Sequence, residues 1–297
     1  MTPLFTAFAL AAFAANSILC RLALGRGAID AASFTAVRLA SGAAALLVIV
    51  KILPRPKSSG SQGRSWTSAL LLFLYAMPFS LAYVSLGVAT GALILFLSVQ
   101  ATMLVGAIRA GERIGVAEGV GLFVAIAGLV VLVSPGLSAP EPVGALLMAL
   151  AGMAWGIYSL RGRSSSDPIG DTAANFIRSV PFAGVAVLAA AMGSHHVSGR
   201  GALLAACSGI VASGLGYAAW FAALRKLKAL QAAALQLTVP VIAAAGGILL
   251  LSERASVRLL VSTALILGGV GLALKGRASR ARAAAGSARG GASPGTS

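Results

Sequence analysis

Hydrophobic residues in this chain come in long unbroken runs, separated by short polar breaks. Ten runs are mostly apolar for about 20 residues, the length at which a helix crosses a bilayer. They lie near 3–22, 32–53, 66–86, 89–108, 115–133, 142–161, 172–192, 201–224, 229–251 and 256–274. Alternation at every second residue, which marks a transmembrane strand, is missing, so a β-barrel is excluded. The pattern predicts an all-α integral membrane protein with ten transmembrane helices. The first run has no Lys or Arg before Arg21. It therefore lacks the basic start of a signal peptide and reads as a retained helix. Polar residues are left to a loop with Arg55, Lys57 and Arg64, to short connections, and to an Arg/Gly/Ser tail after Lys275.

Composition agrees with this reading. Of 297 residues, 58% are hydrophobic and 10% charged, where a soluble domain carries about 25% charge; mean hydropathy is +0.93. A soluble enzyme, a disordered chain and a disulfide scaffold are excluded. The 36 glycines suit close helix–helix approach. Cys20 and Cys207 lie in apolar runs without CxxC spacing and read as packing residues. No GxxxxGK[ST] loop is present, which excludes drive by ATP bound to this chain.

A net charge of +16 suggests nucleic acid at first, but the basic residues sit in loops. With the N-terminus inside, sixteen Lys and Arg fall on the inner side and five on the outer. Basic loops stay cytoplasmic, so both termini are expected in the cytoplasm of a multi-pass protein of the bacterial inner membrane. The expected partners are the lipid bilayer and a small-molecule substrate, not nucleic acid. No cofactor or metal is called for, and the chain reads as a monomer with a dimer left open.

The chain also repeats itself. Arg21 recurs as Arg161 and Arg38 as Arg178, each after 140 positions, and Gly111-Glu112-Arg113 recurs as Ser252-Glu253-Arg254 after 141. Five spans per half force the second copy upside down, which is the inverted-repeat plan of secondary transporters. The division is a first repeat at 1–138, a second at 139–275, and a basic disordered cytoplasmic tail at 276–297.

The chain resembles the drug/metabolite transporter superfamily in its ten-helix EamA-type branch. The resemblance is carried by Asn16-Ser17, Phe34-Thr35-Ala36-Val37-Arg38, Gly214-Leu215-Gly216-Tyr217-Ala218-Ala219-Trp220, Leu237-Thr238-Val239-Pro240-Val241 and Leu251-Ser252-Glu253-Arg254. It covers nearly the whole chain. Within the superfamily the chain is similar to the YddG-type aromatic amino acid exporters. One departure is Val99, which stands where the first half should match Pro240.

Polar and aromatic residues inside spans are the candidate site. A polar side chain in hydrocarbon needs a partner or a wet cavity. Asn16, Gln100 and Gln236 are candidates on that ground, with an interhelical hydrogen bond as the competing reading. Tyr75, Tyr83, Trp155, Tyr158, Tyr217 and Trp220 are the aromatic candidates, while Trp66 opens its span and reads as an interfacial belt residue. Such walls suit a modest organic solute with an apolar side chain. Arg38 and Arg178 are expected to snorkel to the nearer interface, with contact to a substrate carboxylate as the functional alternative. Glu112 and Glu253 read as caps paired to the neighbouring Arg. Pro78, Gly214, Gly216 and Pro240 are the expected hinges, since proline and glycine loosen a helix.

The expected function is a secondary transporter that exports amino acids, aromatic and other neutral ones foremost, or related small metabolites. It works by alternating access and facilitated diffusion. Proton-coupled drug or metabolite efflux is the alternative, with Glu118 as the carboxylate it would use. A membrane-embedded enzyme would need acidic or His clusters inside the membrane, and an ion channel would need a filter or pore charges. The sequence holds neither.

Overall fold

The computed structural model describes residues 2–52, 65–109, 111, 115–134, 139–162, 165–192, 195–224, 235–236 and 238–290. Its helices are α1 (Thr2–Leu24), α2 (Ala31–Ile52), α3 (Trp66–Ser85), α4 (Val88–Arg109), α5 (Val116–Val133), α6 (Pro142–Gly162) and α7 (Pro168–Ala191). There follow α8 (Gly199–Cys207), a π-helical segment (Ser208–Leu215) and α9 (Gly216–Leu224), then α10 (Thr238–Leu251) and α11 (Val257–Gly290). Because α8, the π segment and α9 form one continuous rod, the described residues make ten membrane helices and an all-α fold. Eight are long and apolar enough to cross a membrane by themselves, and 116–132 and 238–251 are shorter apolar helices.

Helix starts follow capping chemistry. The Ser65 hydroxyl accepts from the Ser68 N–H at 3.1 Å, the Asp167 carboxylate from Gly170 at 3.0 Å and Ser198 from Gly201 at 3.0 Å. Each satisfies an N–H that the helix itself leaves unpaired. Asp30 does the same for α2, accepting from Ser33 at 2.8 Å.

Apolar side chains cover the outside as well as the core. Phe123, Leu188 and Leu249 are 73%, 71% and 80% exposed, which water would penalise and lipid does not. Inside, α2 packs on α7 and the π segment, α3 and α4 pack on α6, α1 lies against α9 and α10, and α5 pairs with α11. Small residues permit these contacts. A methyl on Gly269 would lie 2.5 Å from the backbone N of Ala125, so α5 and α11 touch backbone to backbone. Gly209 lies so close to the Arg38 carbonyl and the Ser41 hydroxyl that no side chain fits.

The last helix continues past its span as far as Gly290, through a segment rich in Ala and Arg, which rank among the best helix formers. The span expected at 201–224 is present but carries a π segment in its middle. Part of the span expected at 229–251, together with Glu112 and its expected cap, lies outside the described residues.

Candidate functional site

The π segment sets the geometry of the bundle's centre. An i→i+5 turn widens the helix and re-aims side chains, and such turns are frequent at functional sites. Here it directs Ser208 toward α1, where its hydroxyl donates to Asn16 Oδ1 at 2.6 Å. It also directs Ser213 toward α2, where Ser213 Oγ accepts from Arg38 Nε at 3.2 Å. Tyr75 of α3 closes the network. Its hydroxyl accepts from Arg38 Nη2 at 3.1 Å and from Asn16 Nδ2 at 3.4 Å. Four helical elements are thus joined by one polar network inside an apolar bundle.

Arg38 does not snorkel. It is 1% exposed and ranks among the largest fully buried side chains. Seven residues, about 11 Å of helix, separate it from the start of α2. Its guanidinium instead lies 5.3 Å from the centre of the Tyr75 ring and 5.2 Å from that of Phe79, close enough for cation–π attraction. Its repeat counterpart Arg178 is only partly buried, with its guanidinium 6.0 Å from the Trp66 ring that opens α3.

Beside this network is a small cavity. Five of the candidates, Asn16, Tyr75, Trp155, Tyr217 and Gln236, line it. Trp155 is the centre of the aromatic wall. Its ring lies 4.9 Å from Tyr75 and 5.2 Å from Tyr217, and Tyr217 meets Phe13 edge-on at 5.8 Å. Val99, the residue at the position matching Pro240, also faces the cavity. Phe13, Phe79, Ser17 and Ser213 line it too and were not among the expected site residues, and Arg38, for which contact with a substrate carboxylate was the alternative reading, lines it as well. For Arg38 the signal was an intramembrane charge. The phenylalanines and serines look like ordinary span residues until the helices are assembled.

Four candidates stand outside the lining. Tyr83 is fully buried under Gly91, where a methyl would lie 2.6 Å from its ring, and its hydroxyl donates to the Val88 carbonyl at 3.4 Å. Tyr158 stands behind Trp155 and accepts from Asn175 Nδ2 at 3.3 Å. Trp220 packs edge-on against Phe13 at 5.8 Å in a separate apolar cluster. Gln100, one position beyond Val99 on α4, is partly buried but is not part of the lining. Among the hinge candidates, Gly214 lies in the π segment and Gly216 follows it, Pro78 is inside α3, and Pro240 is the third residue of α10.

Glu253 pairs differently from the expectation. Ser252 adopts φ 57°, the left-handed turn that ends a helix, and this turns Glu253 back over α4. Both carboxylate oxygens accept from the Val88 N–H at 2.9 Å, and Arg21 Nε lies 3.9 Å away. Arg21 in turn donates to the carbonyls of Tyr83 and Val84 at the end of α3. Glu253 is a cap, as expected, but for the helix α4, and its cation is Arg21 rather than Arg254.

Residues 142–275 match the model of the EamA-like transporter family. An uncharacterised protein of Pseudomonas aeruginosa is 48% identical over 280 residues, which cover 94% of this chain and 96% of that protein. A solved crystal structure shares the fold with a TM-score of 0.60 at 22% identity, over 90% of this chain and 95% of its own. With an all-helical membrane bundle around an aromatic and polar cavity, the chain belongs to the EamA-like transporter family, within the drug/metabolite transporter superfamily.

Proposed function

We propose that the chain exports amino acids, aromatic and other neutral ones foremost, or related small metabolites across the bacterial inner membrane. Transport proceeds by alternating access and runs down the solute's own gradient, with both termini in the cytoplasm. The observation that carries this reading is the composition of the cavity wall. Asn16, Arg38, Tyr75 and Val99 come from the first half of the chain, and Trp155, Ser213, Tyr217 and Gln236 from the second. A site built between two halves is opened and closed by moving one half against the other.

The inverted-repeat reading of 1–138 and 139–275 is supported by a pair of arginines. Arg21 binds carbonyls at the end of α3, and its counterpart Arg161 donates to Ser68 and Ser65 at the start of the same helix. These ends are about 30 Å apart in a 20-residue helix. The π segment with Gly214 and Gly216, and Pro78 in α3, are the places where the helices bend during the cycle.

Facilitated diffusion fits the position of Glu118. It is buried in the first turn of α5, where α5 meets Gly276 of α11, and is not part of the cavity wall. The test is counterflow in proteoliposomes. Labelled phenylalanine should exchange against internal unlabelled phenylalanine, and Trp155→Ala should slow that exchange. An exchange rate equal to that of empty liposomes would remove the amino acid reading.

A further inference from the structure

We propose that Arg38 anchors a carboxylate of the transported solute. The solute is then an organic acid with an aromatic or apolar side chain, recognised through its acid group rather than through an amino group. This rests on the transporter reading above and names the chemistry of the same cavity. Arg38 lines the cavity and is 1% exposed. Its Nε donates to Ser213 and its Nη2 to Tyr75, both neutral hydroxyls, while Nη1 is buried and has no hydrogen-bond partner among the described residues.

A guanidinium carries five N–H donors and no acceptor, and it stays charged. A buried cation is costly unless an anion faces it. Among the described residues that line the cavity, none is Asp or Glu. A planar guanidinium with an unused donor matches the two oxygens of a carboxylate. Tyr75 and Phe79 hold the guanidinium from the side and limit where that carboxylate can sit.

The rest of the wall selects what the carboxylate carries. Trp155 and Tyr217 give the wall aromatic surface that suits an apolar or aromatic side chain. An ammonium finds only neutral acceptors in the described lining, and Asn16 Oδ1 already takes the Ser208 hydroxyl. It would also sit near the like charge of Arg38. An acid without the amino group therefore binds at least as tightly as the amino acid.

The test uses the full chain in nanodiscs, titrated with 3-phenylpropionate, phenylalanine, phenylethylamine and 3-phenylpropanol. Binding is read by tryptophan fluorescence, and the same four compounds are assayed for flux in proteoliposomes. We expect 3-phenylpropionate to match or exceed phenylalanine, and both to bind about tenfold or more tighter than the amine and the alcohol. Arg38→Gln should weaken 3-phenylpropionate about 10–100-fold, the range of a hydrogen bond to a charged group, and leave the alcohol nearly unchanged. Arg38→Lys should recover part of the loss. If Arg38→Gln does not fold, the ranking on the unaltered chain decides. Amine or alcohol binding equal to that of the acids overturns the anchor, as does unchanged acid binding in a folded Arg38→Gln. The expected ranking without flux of any compound upholds the anchor and removes the transporter reading. Flux of amine or alcohol without preference for the acids does the reverse.

Discussion

Trp155 and Gln100 separate two kinds of polar or aromatic span residue. Trp155 touches Tyr75, Tyr158 and Tyr217 and faces the cavity; Gln100 stands one residue past the cavity wall on α4. Truncating Trp155 to Ala should therefore raise KM for an aromatic solute, while Gln100→Ala should leave KM within error; both are measured by initial-rate flux in proteoliposomes. Tyr75→Phe has a different consequence. The Tyr75 hydroxyl accepts from both Arg38 and Asn16, so its loss leaves two buried donors without that acceptor. A stranded buried polar group costs about 1–3 kcal/mol. Thermal unfolding in detergent should show that loss even without solute, and an unchanged melting temperature would remove the network's structural role.

At the scale of elements, the start of α2 offers a pH-dependent contact outside the spans. Asp30 Oδ1 caps α2 through Ser33, and Oδ2 lies 3.2 Å from His195 Nδ1 and accepts from the His196 N–H at 3.3 Å. Partial burial would raise the Asp30 carboxyl, but the Ser33 contacts, the His196 N–H and His195 together hold it below the usual carboxylate range. Its folded-state pKa is depressed, so this contribution is present above the unfolded value of about 4. It is lost as pH falls through the lower folded value. Asp30→Ala should cost about 0.5–2 kcal/mol near neutrality, and Asp30→Asn much less because Asn also caps. Melting temperatures of the unaltered chain and Asp30→Ala should converge as pH drops below that range. A constant gap would show that the carboxylate's charge is not involved.

For the whole molecule, two measurements decide the arrangement and its energetics. Reporter fusions at the C-terminus and at Pro140 should report opposite sides of the membrane, because the basic loops divide sixteen to five. Agreement between the two reporters would break the ten-span reading. Second, uptake with the membrane potential clamped should equilibrate without overshoot when a pH gradient is imposed, and Glu118→Gln should change nothing. Overshoot driven by the gradient and abolished in Glu118→Gln would establish proton coupling.

Hydrophobic run length alone determined that this is an all-α membrane protein, because a bilayer demands about 20 apolar residues per crossing. Intramembrane polarity singled out Asn16, Tyr75, Trp155, Tyr217 and Gln236, because hydrocarbon tolerates such groups only with a partner or a cavity. Sequence could not say which of the two each one had. Tyr83, Tyr158 and Trp220 turned out to have neighbours and Trp155 a cavity, since helix rotation and packing decide which face meets which. Arg38 shows the limit best. Its distance from the helix end is legible in the sequence. Its burial came only from assembling α2, α3 and a π segment whose widened turn brings Ser213 to the guanidinium.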